Sequence, residues 1–236
     1  MKKVILCASI VSLLAAVAQA QNETVTWGNP TTISGPGDVD AQGTYFGSWA
    51  PNLTAAGSLT VNGVTFQGSS DLPGLNSTFD NSTGSGSFAS PGTSDSNYNT
   101  LMTSGAFGNN ATPYSLTWDG MTAGNTYLVE LWVNDGRVQA SSGRTETVTG
   151  GANTSGFLDY GESVNGGPGQ WITGTFVADS SGSETLTLTP GPNIPSAQLN
   201  LFQVRDISPV PEPSTFAFLA AGAGAMFCGF RRKSRV

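Results

Sequence analysis

The sequence of 236 residues has no histidine and only two cysteines, Cys7 and Cys228. Both cysteines lie in apolar stretches near the ends, so the part between residues 21 and 208 has no disulfide to stabilise it. That part also lacks lysine. These absences exclude Ser-His-Asp and Cys-His nucleophilic sites, histidine-ligated zinc and Schiff-base lysines. They do not exclude an enzyme that uses only carboxylates, as glycoside hydrolases do.

Positive charge is equally scarce between residues 21 and 208. Arg137, Arg144 and Arg205 stand there against 15 carboxylates, which leaves a net charge of −12. Nucleic-acid binding is driven mainly by cations that displace counterions from phosphate backbones. We therefore expect no nucleic-acid partner.

The N-terminal segment has the pattern of a secretory signal peptide. Lys2 and Lys3 precede an apolar run of 15 residues, 4–18, and the run ends in the small-x-small sequence Ala18-Gln19-Ala20. The run is shorter than the roughly 20 residues of a membrane-spanning helix, and no stop-transfer charges follow it. We expect residues 1–20 to be removed by signal peptidase, with cleavage after Ala20.

The last 28 residues have three consecutive parts: a proline-rich joint, an apolar segment over 216–230 and a basic end. Proline withholds backbone donors, so the preceding domain should end at residue 208. We expect residues 214–230 to form a short membrane-spanning helix. The basic end should stay cytoplasmic, which places residues 21–209 on the far side of the membrane. The joint consists of Val210, Pro211, Glu212 and Pro213.

This tail, residues 209–236, resembles the PEP-CTERM sorting signal of Gram-negative bacteria, with Val210, Pro211, Glu212 and Pro213 as its motif. The resemblance implies export across the inner membrane and recognition by the protease-transpeptidase exosortase. It also implies a destination in the cell envelope, on the outer surface or in the extracellular matrix, often in bacteria that make exopolysaccharide or biofilm. It implies nothing about the activity of the domain in front.

Residues 21–208 are enough for one domain with its own core. Gly, Ser, Thr and Asn dominate this part, and short alternating apolar runs are separated by turn signals, without a long 3.6-residue period. The pattern predicts an all-β fold, a single antiparallel β-sandwich of the jelly-roll type. The predicted strands cover residues 114–118, 127–133, 171–178, 184–189 and 199–207.

Two local signals are more specific. Asn62-Gly63 lies between short alternating runs over 59–61 and 64–66, and it supplies the positive φ angles of a type I′ hairpin turn. Residues 97–104 predict a short helix, capped by Asp95 or Ser96, that would plug one end of the sandwich. Residues 68–96 are rich in small polar residues and are interpreted as a long surface loop, with disorder expected at 83–87.

A second resemblance covers most of the middle of the chain. Asp38-Val39-Asp40 with Gly43, and the stretches 61–66, 127–137 and 169–179, are similar to exported jelly-roll domains of the galactose-binding or malectin-like type. The resemblance implies two antiparallel sheets and sugar recognition. It carries no individual ligand-binding residue onto this sequence.

The strand predicted at 127–133 holds the candidate binding site, because alternate side chains point to opposite faces of a sheet. One face presents a tryptophan between a carboxylate and a carboxamide, which suits a sugar: C–H faces stack on the ring and hydroxyls bond the polar pair. The candidate ligand-binding residues are Glu130, Trp132, Asn134, Asp135 and Arg137. The alternative is that Trp132 fills the second side of the sheet and Asp135 pairs with Arg137 across a turn.

Other side chains are weaker candidates. Trp49, Tyr160 and Trp171 stand in loop-like sequence, where they line a binding rim or pack into the core. Asp38 and Asp40 alternate in a Gly-rich loop, as calcium ligands do, although the twelve-residue calcium-loop pattern is missing. They are candidate ligands of a structural calcium, with solvated turn aspartates as the alternative. No other cofactor is expected.

These observations favour a non-enzymatic envelope or matrix protein whose jelly roll binds polysaccharide. One alternative is a purely structural surface or biofilm protein without a pocket. Another is a carbohydrate-active enzyme with Glu130 and Asp135 as its carboxylate pair, although these two residues face opposite sides of one strand.

Overall fold

The computed structural model describes residues 23–53, 57–68, 73–79, 88–108, 111–137, 143–161, 167–193 and 196–209. The predicted signal peptide, the Pro-Glu-Pro motif and the predicted helix over 214–230 lie outside these residues, as does the predicted disorder at 83–87. In the part that the structure describes, every helix is too short or too polar to cross a membrane.

The described residues form sixteen strands, one α-helix and one short 3-10 turn at Pro36–Asp38. The helix, α1, spans Ser96–Thr103. The strands are β1 (Thr26–Trp27), β2 (Thr31–Thr32), β3 (Thr44–Trp49), β4 (Ser58–Val61), β5 (Val64–Gln67), β6 (Leu75–Ser77), β7 (Ala106–Phe107), β8 (Tyr114–Asp119), β9 (Thr126–Val133), β10 (Thr145–Gly150), β11 (Asn153–Thr154), β12 (Leu158–Asp159), β13 (Gln170–Val177), β14 (Ser183–Pro190), β15 (Gln198–Leu199) and β16 (Leu201–Asp206).

The strands form three sheets. The large sheet has the order β1-β13-β9-β16-β3-β5-β4, with β2 also paired to β13. The second sheet has the order β11-β10-β14-β8-β6, with β12 paired to β10, and β7 pairs with β15. The all-β prediction is therefore confirmed, while the jelly-roll assignment stays a prediction. The expectation of purely antiparallel pairing is wrong at β3 and β5, which run parallel where Trp49 lies opposite Gln67.

The main core lies between the large sheet and the second sheet. Tyr127, Val129, Leu131 and Val133 of β9 are buried there, as their alternation predicts. They share one apolar cluster with residues of the second sheet, among them Leu116, Trp118, Val148, Leu186 and Leu188. Each such side chain contributes roughly 1.5–3 kcal/mol when it is fully buried.

The opposite face of the large sheet, called the outer face below, is also covered. Trp132 and Leu201 lie on it in a second apolar cluster that includes Phe66 of the hairpin and Tyr98 of α1. The helix therefore lies over the outer face and does not plug an end of the sandwich. This placement buries two large side chains that the outer face would otherwise expose to water.

The hairpin prediction is confirmed. Asn62 and Gly63 have φ angles of 46° and 79°, and they connect β4 with β5 in antiparallel register. Such positive angles are the requirement of a type I′ turn. The Asn62 side chain also donates a hydrogen bond of 2.7 Å to the Val39 carbonyl, which ties the turn to the segment 36–42.

The other predicted elements agree within about a residue at most ends. Asp95 is the cap of α1, since its carboxylate accepts a hydrogen bond of 2.8 Å from the Tyr98 amide. The strand predicted at 199–207 is interrupted at Asn200, whose side chain donates to the Met102 and Ser104 carbonyls. The sequence analysis did not predict strands β1, β2, β3, β6, β7, β10, β11 and β12, and β6 lies within the predicted loop.

Candidate functional site

A cavity of about 540 Å³ opens on the outer face of the large sheet. Its rim is the segment 36–42 together with the hairpin turn, and strands β9 and β13 supply its floor. The lining residues are mostly polar or acidic: Gly37, Asp38, Val39, Asp40, Ala41, Gln42, Asn62, Glu130, Trp171 and Thr173.

The floor belongs to a polar row that crosses the middle of the outer face. Thr173 lies opposite Glu130, Glu130 opposite Gln203, and Gln203 opposite Ser48 in neighbouring strands. Directly paired residues point to the same face of a sheet. The adjacent row is apolar, with Trp171, Trp132 and Leu201 in register. The row therefore places a carboxylate and a carboxamide beside a patch of aromatic surface.

Glu130 is the central residue of this row and is only 1% exposed. Its Oε2 accepts hydrogen bonds from the Asp40 amide, at 3.1 Å, and from the Gln203 side chain. Its Oε1 is buried without a hydrogen-bond partner. Burial raises the pKa of Glu130 to about 7, and the hydrogen bonds from Gln203 and Asp40 hold the pKa below what burial alone would produce. Glu130 therefore changes its charge near neutral pH.

The rim of the cavity is held by Asp38. Its carboxylate accepts hydrogen bonds from the Ser34 amide at 2.7 Å, the Gly35 amide at 3.0 Å and the Tyr98 hydroxyl at 2.9 Å. The Ser34 hydroxyl donates to its other oxygen at 2.5 Å. Both oxygens are therefore engaged by donors, and the rim is tied to α1.

Arg205 holds the other end of the rim. Its Nη2 donates to the Ala41 and Gly43 carbonyls at 2.8 and 3.0 Å, and its Nε donates to the Gln42 carbonyl. A guanidinium in this position fixes three successive carbonyls through charge-assisted bonds. The cavity is consequently preformed.

The two aspartates predicted as calcium ligands act instead as anchors of the chain. Asp38 is engaged by four donors, and Asp40 Oδ1 accepts a hydrogen bond of 2.7 Å from the Gln42 amide. Among the described residues there is no group of three or more His, Cys, Asp or Glu side chains that could hold a metal ion. The arrangement of Asp38 and Asp40 agrees with the alternative that they are aspartates of a turn.

Trp132 lies in the interior. It is 0% exposed, packs edge-on against Phe66 with ring centroids 6.0 Å apart, and stacks on Trp171 at 6.3 Å. It fills the second side of the sheet, so the prediction that Trp132 stacks against a sugar is wrong. Trp49 and Tyr160 are also fully buried. Trp171 is half-buried and lines the cavity, which makes it the aromatic candidate that reaches the site.

Asn134, Asp135 and Arg137 belong to a different part of the molecule. Asn134 is fully buried, and its Nδ2 donates to the Ala89 and Met102 carbonyls. Asp135 is 0% exposed and pairs with Arg137 at 2.6 Å. The alternative prediction for this pair is therefore correct. The five candidate residues do not form one site, because β9 ends at Val133 and the chain then enters the interior.

Sequence reasoning anticipated the pair of Asp135 and Arg137 but missed the buried network to which it belongs. We call this the Asp135 network: Asp135, Arg137, Arg144, Glu146, Tyr160, Ser196 and Gln198. Arg144 donates to Asp135 at 2.7 Å and to Ser196 at 2.5 Å, and it stacks on Tyr160. Glu146 accepts from the Tyr160 hydroxyl at 2.6 Å and the Gln198 amide at 2.8 Å. Burial raises the pKa of Glu146 to about 8.

Sequence reasoning also missed Gln42 and Thr173 as parts of the cavity and treated Asn62 only as a turn residue. The sequence carries no local signal for Gln42 or Thr173, since only the strand register and the folded rim bring them together. Asn62 has a signal, the Asn-Gly turn, but that signal concerns backbone conformation and not binding.

Comparison with known proteins identifies the tail. Residues 209–233 match the family model of the PEP-CTERM protein-sorting motif. The motif implies an exported, envelope-associated protein that exosortase processes, which confirms the resemblance seen in the tail sequence. No curated protein and no solved structure matches the chain. The matched segment contains none of the residues that line the cavity. A role for the cavity must therefore be inferred from its lining residues.

Proposed function

We propose that this exported chain is a non-catalytic polysaccharide-binding protein of the cell envelope or extracellular matrix, and that the cavity beside Trp171 is its sugar site. The observation that carries the proposal is a half-buried tryptophan next to carboxylate and carboxamide side chains in one preformed cavity. The exopolysaccharide of the producing cell is the proposed ligand. The proposal includes the jelly-roll fold and sugar recognition of the galactose-binding or malectin-like type.

The chemistry of the lining suits a sugar. Trp171 offers aromatic surface for the C–H face of a pyranose, while Asn62, Gln42 and Asp40 offer donors and acceptors for hydroxyls. The volume of about 540 Å³ lies within the usual range of small-ligand sites. These features together support a site for one or two sugar residues.

The anchored rim supports binding in a second way. Asp38 and Arg205 fix the segment 36–42 through hydrogen bonds to Ser34, Gly35 and the carbonyls of residues 41–43. A ligand therefore does not need to order this segment, and less of the binding free energy is lost as conformational entropy.

The proposal is tested by affinity electrophoresis of the full chain, kept soluble in mild detergent, through gels that contain neutral, amino or acidic polysaccharides. We expect at least one polysaccharide to retard the wild-type chain. Trp171→Ala should weaken that retardation by about tenfold in Kd, since it removes the stacking surface.

Trp27→Ala is the matched control. Trp27 is also a half-buried tryptophan of the large sheet, and its side chain packs against the main core, away from the cavity. Its substitution should leave retardation unchanged. If the folded wild-type chain passes every gel without retardation, the sugar site is refuted and a purely structural surface or biofilm protein becomes the better proposal.

A carboxylate-dependent enzyme is the second candidate, and Glu130 favours it. A carboxyl group with a pKa near 7 in a cavity has the property of a general acid. Asp135 is not its partner, because arginines engage it in the Asp135 network. Release of reducing ends from the polysaccharide panel by the wild type, but not by Glu130→Gln, would establish this activity and overturn the non-catalytic proposal.

A further inference from the structure

The charge of the cavity narrows the kind of sugar it would accept. Three carboxylates, Asp38, Asp40 and Glu130, line it, and none of the described lining residues carries a positive charge. Arg205 lies beneath the rim, where its guanidinium is engaged with the backbone carbonyls of residues 41–43. An anionic ligand such as a uronate would therefore meet like charge without a cation to pair with it.

The carboxylates of the cavity differ in their hydrogen bonds. Asp38 accepts hydrogen bonds from four donors of the chain itself, and they occupy both of its oxygens. Glu130 is 1% exposed, and its Oε1 has no hydrogen-bond partner. A buried acceptor without a donor is unfavourable, because it has lost its water without replacement. The floor of the cavity therefore favours a ligand that brings a donor.

The charge of Glu130 decides which donor suits it. Gln203 donates its Nε2 to Glu130 Oε2, which leaves Oε1 as the oxygen that a ligand would satisfy. A sugar hydroxyl provides one donor, whereas an ammonium group provides three donors, no acceptor and a positive charge that pairs with the carboxylate.

Trp171 lines the cavity together with Glu130 and offers aromatic surface to a sugar ring. The carboxylate with an unmatched oxygen and the tryptophan thus match a hexosamine, which carries an ammonium group on a ring with apolar C–H faces. An isolated metal ion would make no use of the aromatic surface.

We infer that the cavity binds a sugar with a free amino group, such as a cationic hexosamine unit of a polysaccharide, in preference to neutral or acidic sugars. The carboxylate of Glu130 pairs with the ammonium group of this sugar. This inference rests on the proposed sugar site and adds the ligand class to it.

The test is isothermal titration calorimetry of the full chain at pH 7 in mild detergent, with EDTA present. The probes are β-1,4-linked glucosamine oligosaccharides, their fully N-acetylated counterparts of equal length, and uronate oligosaccharides. We expect the amino form to bind at least about tenfold more tightly than the N-acetylated form, as a charge-assisted hydrogen bond would produce. We expect no binding of the uronate form.

Glu130→Gln keeps the shape of the side chain and removes its charge, so it should abolish the preference for the amino form. Glu146→Gln is the matched control, because Glu146 is also a buried glutamate with a raised pKa but lies in the Asp135 network. It should keep the tenfold preference. If Glu130→Gln does not fold by circular dichroism, Asp40→Asn replaces it and should reduce the preference.

Equal affinity for the amino and N-acetylated forms would overturn this inference while it leaves the proposed sugar site standing. Absence of binding by any probe, in a folded chain that also passes every polysaccharide gel, would overturn both. A preference that survives in Glu130→Gln would also overturn the role of this carboxylate. In a separate titration without EDTA, calorimetric binding of calcium alone, with no binding of the amino form, would replace the sugar by a metal ion.

Discussion

The outer-face row around Glu130 and the Asp135 network both contain buried carboxyl groups, yet they differ in the cations near those groups and in access from the cavity. In the Asp135 network two arginines pair with Asp135, and none of its residues lines the cavity beside Trp171. In the outer-face row Glu130 is bonded by an amide and a carboxamide, and it lines a cavity. Each network contains a glutamate with one unmatched oxygen, so unmatched acceptors alone do not mark a site. Access from the cavity distinguishes Glu130 from Glu146.

The largest expected effect is a loss of stability when the buried cation of the Asp135 network is removed. Arg144→Met should lower the free energy of unfolding by about 4 kcal/mol, because it removes a buried cation from a buried carboxylate. The measurement is urea denaturation of the full chain. Arg137→Met is the comparison, since its side chain is 45% exposed, and it should cost about 1 kcal/mol or less. Equal losses in the two variants would show that the buried pair does not dominate this network.

The next effect is a dependence of stability on pH. Burial raises the pKa values of Glu130, Glu146 and Glu184 to about 7, 8 and 7 from an ordinary value of 4.5. Folding therefore favours their protonated forms, and the stability they contribute is fully present below pH 4.5 and is lost as the pH rises through 7 to 8. We expect the free energy of unfolding to fall by several kcal/mol between pH 5 and pH 8, since each pH unit costs about 1.4 kcal/mol for each carboxyl group that is protonated only in the folded state.

Glu146→Gln should flatten this dependence, because Glu146 has the largest shift of pKa among the three. Urea titrations at four pH values between 5 and 8 measure it. A stability that stays constant or rises over this window in the wild type would contradict the assignment of buried, protonated glutamates.

The smallest effect concerns the rim. Asp38→Asn should cost about 2 kcal/mol, because a neutral amide oxygen accepts the hydrogen bonds from Ser34, Gly35 and Tyr98 more weakly than a carboxylate does. It should also weaken sugar binding, since the rim would no longer be fixed. Asp119→Asn, at an exposed aspartate of β8, should change stability by less than about 0.5 kcal/mol. A rim variant as stable as this control would mean that Asp38 does not hold the segment.

Local sequence signals were sufficient for some of the fold. The Asn62-Gly63 turn and the two faces of β9 follow from residues that are neighbours in the chain. The burial of Trp132 does not, because it depends on the hairpin and α1, which cover the outer face from more than 25 positions away. The same limit applies to Asp135, whose partner Arg144 is nine positions away in another strand region.

In the candidate site, too, some features follow from neighbouring residues in the chain and others depend on distant ones. The pattern of Glu130 beside a tryptophan correctly marked a polar position on the outer face, but the tryptophan that lines the cavity is Trp171, on the neighbouring strand. Strand β10 was missed because its Thr-Glu alternation has a polar residue, Glu146, where a core side chain would be expected. Register and long-range covering are tertiary properties, and a single sequence does not encode them in local patterns.

The position of β16 constrains the order in which the protein is made and exported. This strand lies in the middle of the large sheet, between β9 and β3, yet it follows every other described strand in the chain. An exported chain that crosses the membrane from its N terminus delivers this strand after all the others. The large sheet is therefore completed only when residues up to Asp206 have crossed, a few residues before the sorting motif at 209–233. Closure of the sheet and arrival of the motif at the membrane thus belong to the same moment of translocation.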